Sequence, residues 1–152
     1  MKVSIIYWSG TGNTEAMAME AAQGAKSAGA EVNLKTVAEA SADDLNCDAL
    51  LLGCPAMGAE ELEENEFEPF FSAIEGKLKG KKMGLFGSYG WGTGDWMVTW
   101  QSRVVNDGAV MLADGVTCEN EPDEDAKAAC SALGKAAATC REFENSNPKQ
   151  NL

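Results

Sequence analysis

Apolar positions along the chain keep changing their spacing. Lys2 to Trp8 is β-branched and aromatic, which predicts a first strand. From Thr14 to Ala28 the good helix formers dominate, with Met17, Ala21, Ala25 and Ala28 on one face, until Gly29 stops the helix. A second strand follows over Glu31 to Val37, then a short helical turn near Ser41 to Asn46. Asp48 to Gly53 holds the continuous run Ala49-Leu50-Leu51-Leu52, the mark of a strand buried on both faces. Asn65-Glu66-Phe67-Glu68 has capping-box spacing and predicts a helix to about Glu75. Lys81 to Gly87 reads as strand four. Asp95 to Asn106 reads as a helix with Trp96, Trp100 and Val104 on its buried face. Ala109 to Ala113 starts strand five. After Pro122, the stripe Ala129, Cys130, Leu133, Ala136, Ala137 and Cys140 predicts a last helix.

Strands alternating with helices imply an α/β fold with a parallel sheet covered on both faces. Right-handed crossovers make a single three-layer α/β/α sandwich with a five-stranded parallel sheet the natural outcome. Residues 1–142 form the expected domain and 143–152 a polar C-terminal tail. In such folds ligands bind at the carboxyl ends of the strands, and there the sequence is unusual.

Strand one runs into Ser9-Gly10-Thr11-Gly12-Asn13-Thr14, four hydroxyl or amide side chains and two glycines ahead of a helix. Glycines let backbone N–H groups converge, and the helix start adds partial positive charge, which together favour an anion such as a phosphate. No Lys or Arg lies in the loop and the Gly-Lys-Ser/Thr ending of an ATP-binding loop is missing, so a terminal monophosphate held by neutral donors fits best. The plain alternative is a capped strand-to-helix turn.

After strand three comes Gly53-Cys54-Pro55-Ala56-Met57-Gly58-Ala59-Glu60-Glu61. Small residues admit a flat ligand, Met57 offers a polarizable contact, Gly58 lets its peptide reorient, and Glu60 can accept from a ligand N–H. After strand four, Ser88-Tyr89-Gly90-Trp91-Gly92-Thr93-Gly94 sets two aromatics among glycines. Trp91 there suits stacking on a planar ligand, against the alternative of folding back on the core. Trp8 either shields the phosphate site or closes the core. Together the loops outline a monophosphate joined to a flat heteroaromatic ring, which is the outline of FMN.

Composition narrows the partners. Twelve basic against 24 acidic residues leave a net charge of −12, unsuited to nucleic acid or anionic lipid. There is no His, which removes Ser-His-Asp and Cys-His catalysis and His-containing metal sites; neither a catalytic nor a metal site is expected. Cys47, Cys54, Cys118, Cys130 and Cys140 form no Cys-x-x-Cys pair and read as free thiols in a reducing cytoplasm. Neither a membrane span nor a signal peptide is evident.

Over Lys2 to about Arg141 the chain resembles flavodoxins, most of all the short-chain flavodoxins of anaerobic bacteria. The motifs that carry the resemblance are Tyr7-Trp8-Ser9-Gly10-Thr11-Gly12-Asn13-Thr14-Glu15, Gly53-Cys54-Pro55-Ala56-Met57-Gly58-Ala59-Glu60-Glu61, and Leu85-Phe86-Gly87-Ser88-Tyr89-Gly90-Trp91-Gly92. The stretch after Ala113 lacks the insertion that splits strand five in long-chain members. The resemblance implies strand order 2-1-3-4-5 and a monomeric electron carrier that is not an enzyme. It implies FMN phosphate on Ser9, Thr11, Gly12, Asn13 and Thr14, with Trp91 on one face of the isoalloxazine and Met57 on the other. Glu60 would accept from N3–H, the Met57-Gly58 carbonyl would turn to N5–H, and Ser88, Tyr89 and Gly90 would contact the ring.

Glu60, Glu61, Glu63 and Glu64 lie beside the expected ring with no evident cation. A unit charge about 8 Å away at an effective dielectric of ~20 costs an added negative charge roughly 2 kcal/mol. A low-potential semiquinone/hydroquinone couple follows, with the acidic surface meeting basic-patched redox enzymes in transient complexes. A small FMN-dependent reductase is the competing class. A receiver domain would need acids where Trp8-Ser9-Gly10 stands, and a low-molecular-weight phosphatase an Arg soon after Cys54.

Overall fold

The computed structural model describes residues 1–58 and 60–146, with only the backbone of 141–146. Strands β1 (Lys2–Tyr7), β2 (Glu31–Thr36), β3 (Ala49–Gly53), β4 (Lys82–Tyr89) and β5 (Val110–Met111) form a parallel sheet in the order β2-β1-β3-β4-β5. A further strand, β6 (Val116–Glu119), also lies parallel to β4. β5 pairs with the start of β4 (Lys82↔Val110) and β6 with its end (Phe86↔Val116 to Tyr89↔Glu119). They are two halves of one edge strand, the expected strand five, interrupted by residues 112–115. Gln101 ties this excursion down, donating to Asp114 Oδ1 at 3.3 Å and accepting from the Gly115 N–H at 2.8 Å.

Helices α1 (Asn13–Ser27) and α4 (Glu124–Ser146) cover one face of the sheet, and α2 (Phe67–Ile74) and α3 (Asp95–Asn106) the other. Alternation along β1 splits the core, with Val3, Ile5 and Tyr7 facing α1 and α4, and Ile6 facing α2 and α3. β3 is buried throughout, as its unbroken apolar run implies. The α1–α4 contact depends on missing side chains. A Cβ on Gly24 would strike the Ser131 carbonyl, and one on Gly134 the Ala21 carbonyl.

Several boundaries move. In α1, Ala28 is exposed while Met17, Ala21 and Ala25 are buried; in α4, Ala129 is exposed and Gly134 and Ala138 join the buried face. β4 extends to Tyr89, so Ser88 and Tyr89 belong to a strand end rather than a loop. α2 has no side-chain cap at Asn65 or Glu66. Its first turn is satisfied instead by the Glu63 carboxylate, which accepts from the N–H groups of Asn65, Glu66 and Phe67, each at 2.8 Å. α4 runs on to Ser146, so 143–146 of the expected tail are helical, and 147–152 lie outside the described residues.

Candidate functional site

The sheet order reverses direction between β1 and β3, so the loops after these two strands face each other across the carboxyl edge, and the loop after β4 completes the rim. Between them lies a cavity of about 250 Å³ lined by Trp8, Gly10, Thr11, Asn13, Pro55, Ala56, Met57, Ser88, Tyr89 and Gly90, joined by Asn120. Ten residues singled out from three separate stretches of sequence thus converge on one site.

The first loop is shaped by its own hydrogen bonds. Gly12 sits in the left-handed region at φ 97°, a conformation costly for a residue with a Cβ, and α1 begins directly after it. The Ser9 hydroxyl accepts from the N–H groups of Gly12 at 3.1 Å and Glu15 at 3.2 Å, which bends the loop over the helix start. Thr14 is buried and its hydroxyl lies 3.3 Å from that of Ser88, linking the first loop to the end of β4. Trp8 leans beneath Gly10, where a Cβ would come within 3.0 Å of the indole.

The second loop is closed by two backbone bonds, Glu60 N–H to the Met57 carbonyl at 2.8 Å and Met57 N–H to the Glu61 carbonyl at 2.9 Å. The left-handed residue of this turn is Glu60, at φ 53°, rather than Gly58. Gly58 is exposed and a Cβ there would meet nothing within 4 Å, so the Glu60 N–H is the contact that holds the Met57 carbonyl in place. The Glu60 carboxylate bridges to the third loop, accepting from the Gly94 N–H at 3.0 Å and the Thr93 hydroxyl at 3.2 Å and lying over Gly92. Those two donors occupy two of its roughly four acceptor positions and leave the rest open.

Trp91 is 70% exposed and Met57 37%. The indole of Trp91 therefore does not fold back on the core. Trp96 and Trp100, only 1% exposed, do belong to the core. The Trp96 indole N–H donates to the Cys54 carbonyl at 3.1 Å, and Tyr89 packs at a tilt on Trp96, 5.6 Å between ring centres. This stack buttresses the wall that Tyr89 presents to the cavity.

The charge picture changes at two places. Glu63 does not add a free charge to the rim, because it is 4% exposed and its carboxylate is spent on α2. Burial pushes its pKa up, but the three backbone N–H groups outweigh that and hold it below the usual carboxylate range. Cys54 is a packing residue. Burial pushes its thiol up to about 12, and its sulfur accepts from the Glu63 N–H at 3.4 Å. Among the described residues, no Lys or Arg lines the site cavity or the one beside the Ser9 loop.

Asn120 also lines the cavity, although nothing in its own stretch of sequence marks it for the site. It follows β6 in the left-handed region at φ 60°, and its N–H donates to the Tyr89 carbonyl at 2.7 Å, which brings it beside Gly90. Asn among polar residues before a Pro signals a turn, but its place opposite Gly90 depends on β6 pairing with β4.

Comparison with known proteins agrees with this geometry. The flavodoxin family model matches residues 5–134. The chain belongs to the flavodoxin family. It is 52% identical over 137 residues to the flavodoxin of Megasphaera elsdenii, covering 90% of this chain and 98% of that protein. It is 49% identical to the flavodoxin of Clostridium beijerinckii, covering 90% and 99%. The solution structure of two-electron reduced M. elsdenii flavodoxin matches with a TM-score of 0.83 at 50% identity over 90% of this chain and 98% of that one. Flavodoxins are FMN-binding electron carriers rather than enzymes, and FMN is the cofactor of this chain.

The residues present fit that cofactor. Hydroxyl, amide and backbone donors without a cation surround the α1 start, suiting a phosphate. Gly10 and Gly90 line the cavity without side chains, and the indole of Trp91, next to Gly90 in the chain though outside the lining itself, is left exposed.

Proposed function

We propose that this flavodoxin is a low-potential one-electron carrier whose own residues divide the work among the three loops. The observation that carries the reading is Trp91, a large apolar ring left uncovered by the fold beside a cavity lined by Met57 and Tyr89. Ser9, Gly10, Thr11, Gly12, Asn13 and Thr14 bind the phosphate through neutral donors at the α1 start, with Trp8 closing that end. Pro55, Ala56 and Met57 cover one face of the ring, Trp91 covers the other, and Ser88, Tyr89, Gly90 and Gly92 line its edge together with Asn120. Glu60 keeps acceptor capacity for a ring N–H while it holds the second loop against the third.

FMN supplies reversible one-electron exchange, and the protein sets its energetics. The Met57 carbonyl is held by the Glu60 N–H in this structure. Turning it inward toward a ring N–H exchanges one neutral hydrogen bond for another, a near-balanced trade of about 1 kcal/mol each way. Glu61 and Glu64 are exposed near the site and oppose added negative charge, less strongly at high salt. An absorbance-monitored reductive titration should resolve two separate one-electron steps; a single unseparated two-electron step overturns the reading.

The net charge of −12 fits monomeric encounters in the cytoplasm with enzymes that present basic patches. Electron delivery should slow as ionic strength rises, and a flat dependence would remove charge steering from the proposal.

A further inference from the structure

Trp8 stands where two cavities meet. On one side is the site cavity. On the β2 side is a second cavity of about 380 Å³, walled by Trp8 and Gly10 and also by Tyr7, Glu15, Thr36 and Glu66. The indole is the partition between them, so whatever holds it shapes the phosphate end of the site. Its backbone N–H donates to the Gly53 carbonyl at 3.0 Å, which fixes the main chain but not the ring. The ring is held by the indole N–H, which donates to Glu66 Oε1 at 3.1 Å. Glu66 is anchored in turn, because its own N–H donates to the buried Glu63 carboxylate at 2.8 Å. A continuous line therefore runs from Glu63, inside the protein, through Glu66 to Trp8 and on to Gly10 of the first loop. Its parts lie 58 residues apart in the chain.

We propose that Glu66 is a positioning residue of the cofactor site, whose carboxylate latches the Trp8 indole beneath the first loop and joins that loop to the start of α2. The proposal rests on the reading that this loop holds the FMN phosphate. It makes Glu66 act in two opposed ways. As an acceptor it orders Trp8 and favours binding. As an anion beside the phosphate end it opposes binding.

Glu66→Gln and Glu66→Ala separate the two effects, since Gln keeps a carbonyl acceptor without charge and Ala keeps neither. FMN should bind Glu66→Gln at least as tightly as the wild type, and Glu66→Ala about fivefold more weakly than Glu66→Gln, the worth of one exposed hydrogen bond. A second readout needs no flavin. The Trp8 indole N–H signal, identified by its loss in Trp8→Phe, should exchange with solvent faster in Glu66→Ala than in the wild type or Glu66→Gln. Equal FMN affinities of the Gln and Ala variants, or unchanged exchange at Trp8 in Glu66→Ala, overturns the latch. Failure of the wild type to take up FMN overturns the cofactor reading instead, and the exchange measurement still decides the latch.

Discussion

Replacing Trp91 with Ala isolates the contribution of the flavin stack from that of the fold. The side chain is 70% exposed, between Gly90 and a Gly92 at φ 99°. Covering one face of an indole removes roughly 100 Å² of apolar surface from water, worth about 2.5 kcal/mol at ~25 cal/mol/Å². Offset aromatic stacking adds about 1 kcal/mol. Ordering the side chain costs about 1 kcal/mol. The net loss in Trp91→Ala is about 2–3 kcal/mol, or roughly 30- to 150-fold in Kd. The assay is titration of flavin-free protein with FMN, following quenching of flavin fluorescence, beside urea denaturation of the same flavin-free protein. Denaturation should shift by no more than about 0.5 kcal/mol, since an exposed ring contributes little to folding. Trp100→Ala is the contrast. That ring meets Phe67 edge-on at 5.4 Å and Phe71 at 6.1 Å, and its loss should destabilise the fold by about 3–5 kcal/mol. An unchanged Kd in Trp91→Ala would refute the stacking argument, as would a loss of stability comparable to that of Trp100→Ala.

Other consequences of the structure are open to the same kind of measurement. Gly134→Ala drives a Cβ into the Ala21 carbonyl, so α1 and α4 must separate and stability should fall by about 1–3 kcal/mol, whereas Gly76→Ala, with open space at its Cα, should change little in the same urea titration. Glu63→Gln should lose about 2 kcal/mol at pH 7. Because the folded pKa of Glu63 lies below its unfolded value of about 4.3, the wild-type advantage is complete above that pH and disappears as pH falls through the folded value; a gap of the same size at pH 7 and pH 3 would sink the assignment. Asp107 runs the other way, since burial and then the neighbouring Glu75 push its pKa up to about 6. Its ionisation therefore costs stability as pH rises from about 4 through 6, and Asp107→Asn should raise the thermal midpoint at pH 7.5 and leave it unmoved near pH 4.

The chain's local patterning determined the layered α/β architecture, the three rim loops and the division of labour among its tryptophans. These depend on short-range physics. A buried strand needs an unbroken apolar run such as Ala49 to Leu52, a helix repeats its buried face every three or four residues as at Trp96, Trp100 and Val104, and only glycine comfortably adopts the turn at Gly12. Local sequence likewise sets Trp91, isolated between glycines, apart from the core indoles Trp96 and Trp100. Tertiary structure alone decided which polar groups meet. Glu63 read as one member of an acidic cluster and is the buried cap of α2. Glu60 read as a ligand contact and also ties the second loop to the third, 34 residues away. Asn120 reaches the site through the pairing of β6 with β4, and Trp8 finds its acceptor in Glu66 across the space between β1 and α2. The physical reason is the same in each case. Dihedral preference and burial period are set by a few neighbouring residues, whereas a carboxylate takes whichever donors the sheet order brings within 3 Å or so, and that order is a property of the whole chain.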